Sequence, residues 1–192
     1  MASTKIVGFL HNTHEGLEGE GGSLMNYVLA ANGLFAQAES PLLTATVQAV
    51  PAEVRGLAPL PEAHVELPMG LVPYGCLQEA VGWMAFSRPN ELCVEVVWIG
   101  TSYAVQVPEQ KATPISVHYT PSLNVVLTLH SHPDMEAFFS GTDDHDESGL
   151  GLFGVVGGTF PPVAFQFRVG VYGYFQPVAP RRIFKEWPWV TD

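Results

Sequence analysis

His130-Ser131-His132-Pro133-Asp134-Met135-Glu136-Ala137-Phe138-Phe139-Ser140-Gly141-Thr142-Asp143 decides the reading of this chain. Side chains two apart in an extended segment project from the same face, so His130 and His132 point together. Asp143 follows eleven residues after His132 and can return from the start of a helix. Ser140-Gly141-Thr142-Asp143 has the form of such a start, with serine as N-cap and an acid three residues on. Two imidazoles and one carboxylate fill three positions of a tetrahedral Zn²⁺ and leave the fourth open to water. That is the layout of a hydrolytic zinc site rather than a structural one.

Upstream, residues 123–129 form an apolar run that leads straight into His130 and predicts a strand. Residues 115–119 predict another. Residues 91–99 and 102–107, separated by Gly100-Thr101-Ser102, predict a hairpin. Residues 74–86 carry Leu77, Val81, Met84 and Ala85 at helical spacing and are the best helix candidate, ended by Pro89-Asn90. Downstream, glycines at 149 and 151 keep the helix after Asp143 short. Residues 152–156 and the strongly alternating 163–175 then predict a closing hairpin.

The flanks are less regular. Residues 15–23, rich in Gly and Glu, are expected to form a mobile loop. Between Gly33 and Leu67 the expectation is a β-rich portion with short extended runs at 42–50, 54–60 and 64–67. Trp187 and Trp189 flank a proline in an expected extended tail. The chain therefore divides into an N-terminal β-rich extension (1–70), an α/β domain (71–178) with a mixed sheet flanked by helices, and a tail (179–192).

Composition narrows the function classes. The 192 residues suffice for one well-cored domain with an appendage. Only 14% are charged against 47% hydrophobic, so much of the chain must be buried or must cover a partner. The net charge of −11 argues against nucleic acid, whose phosphates call for a Lys/Arg stripe. It is compatible with a basic partner surface, and equally with solubility alone. Apolar runs are too short for a membrane span, and the first residues lack the pattern of a secretory signal. Cys76 and Cys93 form neither a disulfide framework nor a zinc ribbon. They read as buried thiols in a reducing compartment, and a cytoplasmic location is expected.

Five specified positions at fixed spacing recur by chance in such a chain with a probability on the order of 10⁻⁵. The pattern His130-Ser131-His132-Pro133, six residues, Ser140, two residues, Asp143 resembles the JAMM/MPN+ (JAB) metalloprotease motif without a departure. The resemblance implies a JAB/MPN-type, cytidine-deaminase-like fold. It implies Zn²⁺ held by His130, His132 and Asp143, with Ser140 assisting the tetrahedral intermediate. It further implies hydrolysis of a peptide or isopeptide bond after ubiquitin or a ubiquitin-like protein.

The family also uses an upstream glutamate as proton carrier. Arg88-Pro89-Asn90-Glu91-Leu92-Cys93-Val94 follows the predicted helix and opens a strand, as the family's Pro-x-Glu-x-Cys-Gly-type segment does, with Val94 in place of glycine. Glu91 is the assigned base. Glu53, in a local Glu-x-x-Gly pattern, and Glu95, on one face with Glu91 and Cys93, are the alternatives.

Over most of residues 33 to 178 the chain is similar to the prokaryotic JAB proteins of PRTRC systems. The shared stretches are 54–59, 107–110, 137–144 and 168–173. That likeness implies two partners: a ubiquitin-like protein or its conjugate as substrate, and a ThiF/E1-like protein.

Other residues are expected to be without chemistry. His11 and His14 lack the glutamate that metalloprotease helices place between their histidines. His64 and His118 have no partner, and Ser131 is a connecting residue. Asp144, His145, Asp146 and Glu147 are expected on a solvated helix face. Phe138 and Phe139 either line a groove or anchor their loop. Two other classes compete with the hydrolase. A non-catalytic MPN-type interaction module is opposed by the intact ligand set. A zinc nucleobase deaminase needs a Pro-Cys-x-x-Cys pair, whereas these cysteines are 17 residues apart.

Overall fold

The computed structural model describes residues 5–158 and 164–188. Val163 and Trp189, expected in the closing hairpin and the tail, lie outside the described residues. The N-terminal part is a six-stranded sheet of β1 (Val7–Thr13), β2 (Gly16–Glu20), β3 (Met25–Ala30), β4 (Gly33–Glu39), β5 (Thr44–Pro51) and β6 (Ala63–Glu66), in the order β2-β1-β3-β4-β5-β6. The Gly/Glu-rich segment expected to be a loop is instead the outer strand of a hairpin, with Phe9 opposite Glu20 and Thr13 opposite Gly16. Every residue of β2 is exposed. An edge strand with one face in water and the other uncovered carries no hydrophobic alternation, which hid it in the sequence. Of the three extended runs expected between 42 and 67, the first and third are β5 and β6, while residues 54–60 have no strand.

The rest of the chain builds β7 (Val72–Pro73), α1 (Tyr74–Ser87), β8 (Cys93–Trp98), β9 (Tyr103–Gln106), β10 (Gln110–Thr113), β11 (Ser116–Tyr119), β12 (Val125–His132), α2 (Gly141–Asp146), β13 (Leu150–Gly157), β14 (Ala164–Val171), β15 (Tyr174–Pro177) and β16 (Phe184–Lys185). Six of these strands form a mixed sheet in the order β15-β14-β13-β12-β8-β9. Among the described residues only β12 and β13 run parallel in it. A parallel pair needs a crossover, and the crossover from Pro133 to Gly149 is the segment that carries Ser140 and Asp143. This is a mixed β-sheet core flanked by two helices, with an N-terminal β-rich extension, as expected of a JAB/MPN-like α/β fold.

The sheet has two unlike faces. Val94, Val96, Leu127, Leu129, Leu152, Phe167, Val169 and Val171 belong to the main core, together with Leu77, Ala80 and Met84 of α1. Burying Leu77 and Met84 contributes about 2 kcal/mol each. The alternate residues of the same strands, among them Cys93, Glu95, Thr128, His130, His132 and Arg168, point the other way, and all are buried. Strands covered on both faces lose the apolar/polar alternation, yet here the second face carries polar groups that need partners.

The N-terminal sheet shares the main core through Met25, Ala36, Ala45 and Val47. It also meets the second sheet at Tyr27 and Tyr174, whose hydroxyls are 3.2 Å apart, and at Gln176 Nε2, which donates to the Gln48 carbonyl at 3.1 Å. The segment expected as a tail turns through Pro180–Arg182, and β16 pairs with β7 in parallel. Ile183 and Phe184 are buried, and Trp187 packs on Phe165, Phe167 and Phe184. Among the described residues no helix is long and apolar enough to cross a membrane.

Candidate metal centre

His130 and His132 end β12, the strand between β8 and β13. They stand 5.2 Å apart between ring centroids. The sheet register pairs His132 with Gly157, and a glycine is required there. A Cβ on Gly157 would lie 2.1 Å from the Ala137 backbone nitrogen, so any side chain would push the ligand-bearing loop off the strand end. The loop is pinned further by Gly158 N–H, which donates to the carbonyls of His132 and Met135 at 3.0 and 2.9 Å.

His132 Nδ1 is 3.1 Å from the Glu136 carbonyl. A carbonyl only accepts, so Nδ1 carries the proton and Nε2 keeps its lone pair free. His130 Nε2 is buried with no hydrogen-bond partner. Burial lowers the pKa of His130 to about 4, with Asp143 opposing and His132 and Arg168 reinforcing the shift. His130 is therefore neutral at physiological pH, as a metal ligand must be.

Asp143 is delivered by the cap of α2. Its backbone N–H donates to Ser140 Oγ at 3.3 Å, and its Oδ2 accepts from the Ser140 N–H at 2.5 Å. The reciprocal cap occupies one carboxylate oxygen and leaves Oδ1 facing His130 Nε2 at 3.4 Å. One ligand atom from each of His130, His132 and Asp143 lies within 4.8 Å of the others. The orphaned buried nitrogen, the free Nε2 of His132 and the half-free carboxylate fit a divalent ion with a preference for nitrogen and oxygen donors.

Glu91 sits at the same strand end. His130 pairs with Cys93, so extending that antiparallel register by two residues sets Glu91 beside His132. Three contacts hold the segment. Leu92 N–H donates to Ser131 Oγ at 2.9 Å, Ser131 N–H donates to the Leu92 carbonyl at 3.1 Å, and Glu91 N–H donates to the Thr113 carbonyl at 2.9 Å. The β10–β11 hairpin thus backs the site, and Gln110 brackets Cys93 on both its N–H and its carbonyl. Glu91 is 4% exposed. Burial first, and then the charge of Asp143, raises its pKa to about 7.

The alternatives lie elsewhere. Glu53 is exposed in the segment after β5. Glu95 is fully buried and already engaged, accepting from Gln106 Nε2 at 3.2 Å and from Ser122 N–H at 3.1 Å. His11, His14, His118 and His145 are exposed. The two phenylalanines divide the roles considered for them. Phe139 anchors the loop, its ring face 3.9 Å from the Arg168 guanidinium. Phe138 stays 43% exposed with its ring 4.6 Å from His132, on the rim of the cluster. Cys93 is buried and Cys76 half-buried, both free. Burial raises both thiols, so neither is an activated nucleophile.

One expectation is overturned. Glu147 is not on a solvated face: it is 4% exposed and accepts from Arg168 Nε and Nη2 at 3.0 and 2.7 Å. Two signals mark this pair. Glu147 follows Asp143 by four residues, one helical turn, and so shares its face. Arg168 is the lone charge in β14, whose other inner residues are apolar.

Residues 75–169 match the family described as prokaryotic homologs of the JAB domain. A JAB-type domain occupies this part of the chain. Its span runs from α1 into β14 and includes Glu91, His130, His132, Ser140, Asp143, Glu147 and Arg168. The first sheet lies outside it. No curated protein matches the chain. The JAB-type domain thus holds a His130/His132/Asp143 cluster compatible with a metal ion.

Proposed function

We propose that this protein is a zinc-dependent metallopeptidase or isopeptidase that hydrolyses the bond following the C-terminus of a ubiquitin-like protein. The observation that carries the reading is the buried, unpartnered Nε2 of His130 facing Asp143 Oδ1. Leaving such an atom unsatisfied costs about 1–3 kcal/mol, and a metal ligand role accounts for it. His130, His132 and Asp143 would hold Zn²⁺, which supplies Lewis-acid polarisation and acidifies water.

Glu91 is the proton carrier in this reading. A carboxyl poised near neutrality accepts a proton from the attacking water and returns it to the leaving amine with little loss either way. Its burial keeps the carboxyl poised, and the Ser131–Leu92 contacts orient its backbone. Ser140 keeps its hydroxyl proton, because Oγ acts only as acceptor in the cap. That proton is available to an oxyanion as charge develops. Phe138, exposed beside His132, offers the passing substrate chain an apolar wall.

The resemblance to the prokaryotic JAB proteins of PRTRC systems is what supports a ubiquitin-like substrate and a ThiF/E1-like partner, and the two free thiols suit a cytoplasmic setting. The test is incubation of the zinc-loaded chain with a ubiquitin-like protein extended at its C-terminus. Mass spectrometry should show loss of the extension, blocked by chelation and restored by zinc. Zinc uptake without turnover on any such fusion would point to an interaction module instead.

A further inference from the structure

Glu147 has no part in the chemistry above, yet it is buried against a ligand. Its Oε2 takes both hydrogen bonds from Arg168, while Oε1 lies 4.0 Å from His130 Nδ1. At that distance the contact is electrostatic rather than a formed hydrogen bond. Oε1 is nonetheless the carboxylate oxygen left over by Arg168 and the one facing that nitrogen. The side chains of His130, Glu147 and Arg168 are only 6%, 4% and 8% exposed. Little water competes for the contact.

Arg168 is itself fixed with care. Its guanidinium carbon lies 3.9 Å from the ring centroids of both Phe139 and Phe175, and Nη1 reaches Asp144. Phe139 in turn meets His130 edge-on, with centroids 6.4 Å apart. A carboxylate taken out of water and held by a rigid arginine is expensive to maintain unless it serves a neighbour. The neighbour here is the imidazole whose other nitrogen faces Asp143.

We propose that Glu147 is a positioning residue for His130: it fixes the tautomer with the proton on Nδ1, so that Nε2 presents its lone pair to the metal, and Arg168 holds Glu147 in place for that task. Carboxylates behind ligand histidines orient the ring and raise its basicity. This rests on the reading of the cluster as a zinc centre.

The test uses the full chain, zinc, and a competing chromophoric chelator, with long-range ¹H–¹⁵N spectra of the His130 ring in the zinc-loaded state. Glu147→Gln should weaken zinc binding by about 10–100-fold and move the Nδ1–H resonance of His130, with the fold intact by thermal melting. Glu147→Asp, which keeps the charge but withdraws it by one methylene, should weaken zinc several-fold; it carries the test if the Gln variant does not fold. Affinity within twofold of the unmodified chain together with an unchanged His130 ring in a folded variant overturns the proposal. An unmodified chain that binds no zinc would instead overturn the metal reading itself, and this inference with it.

Discussion

Ser131 Oγ accepts a hydrogen bond of 2.9 Å from the backbone N–H of Leu92, so the residue between the two histidines holds the residue after the glutamate. The serine needs no chemistry of its own to matter. It lies fully buried between the two histidines and ties the entry of β8 to the end of β12. Together with the Ser131 N–H bond to the Leu92 carbonyl and the Glu91 N–H bond to the Thr113 carbonyl, this contact sets Glu91 beside the His130/His132 pair.

Ser131→Ala removes that acceptor and leaves the Leu92 N–H inside the protein. The expected loss is about 1–3 kcal/mol of stability, seen as a lower midpoint in chemical denaturation. Zinc content should be unchanged, because His130 and His132 remain on their strand, while turnover falls. Full turnover in this variant would mean that Glu91 is not oriented through Ser131.

Glu91 also makes the metal-free protein sensitive to pH. Its folded pKa of about 7 lies above the ordinary 4.5. A raised carboxyl binds its proton more tightly when folded, so its contribution is present below pH 4.5 and is lost as pH rises through 7. Glu91→Gln has no such loss. The variant should gain on the unmodified protein by about 2 kcal/mol between pH 4.5 and 8, the full shift being reduced by solvent at the site's mouth. His130, lowered to about 4, acts in the opposite sense as pH falls from 6.5 toward 4, and its contribution cancels in the comparison. A pH-independent difference between the two proteins would contradict the burial of Glu91.

In the proposed zinc centre the cap of α2 links stability to metal binding. Ser140→Ala loses the acceptor for Asp143 N–H and should cost about 1 kcal/mol. Asp143 then keeps less of its fixed orientation, and zinc affinity should drop with it. Ser140→Thr, which preserves the cap, should restore both affinity and stability. Equal zinc affinity in the Ala and Thr variants would separate the cap from ligand placement.

Arg168→Met should be the most destabilising of these changes. It leaves Glu147 as a buried carboxylate without its cation, a loss worth about 3–5 kcal/mol. The double variant Arg168→Met/Glu147→Gln should recover part of it, measurable by thermal unfolding of the metal-free chains. No recovery would place the cost in lost packing against Phe139 and Phe175 rather than in the ion pair.

These relationships differ in how far the sequence discloses them. His130, His132, Ser140 and Asp143 are legible because strand alternation and a helix cap impose short, fixed spacings. Helix α1 is legible because Leu77, Val81, Met84 and Ala85 fall at helical spacing, although of these only Leu77 and Met84 are buried, with Ala80 as the third buried residue of the helix. Strand β2 is not, because an exposed edge has no buried face to pattern it. Strand β10 is short and polar, and it is tied to β8 by Gln110, which brackets Cys93, a contact between residues 17 apart. Glu147 escaped for a related reason. Its burial depends on Arg168, 21 residues away on β14, and a run of acids reads as solvent-facing until that partner is known.

In the proposed reading a metal centre at His130, His132 and Asp143 is served by Glu91. The measurement that tests it most directly is product formation by zinc-loaded Glu91→Gln on a C-terminally extended ubiquitin-like protein, with zinc per chain determined on the same sample. One zinc per chain is expected, as in the unmodified protein, with cleavage reduced by about 10²–10⁴-fold. Cleavage at the unmodified rate, or a chain that holds no zinc with Glu91 present, would contradict it.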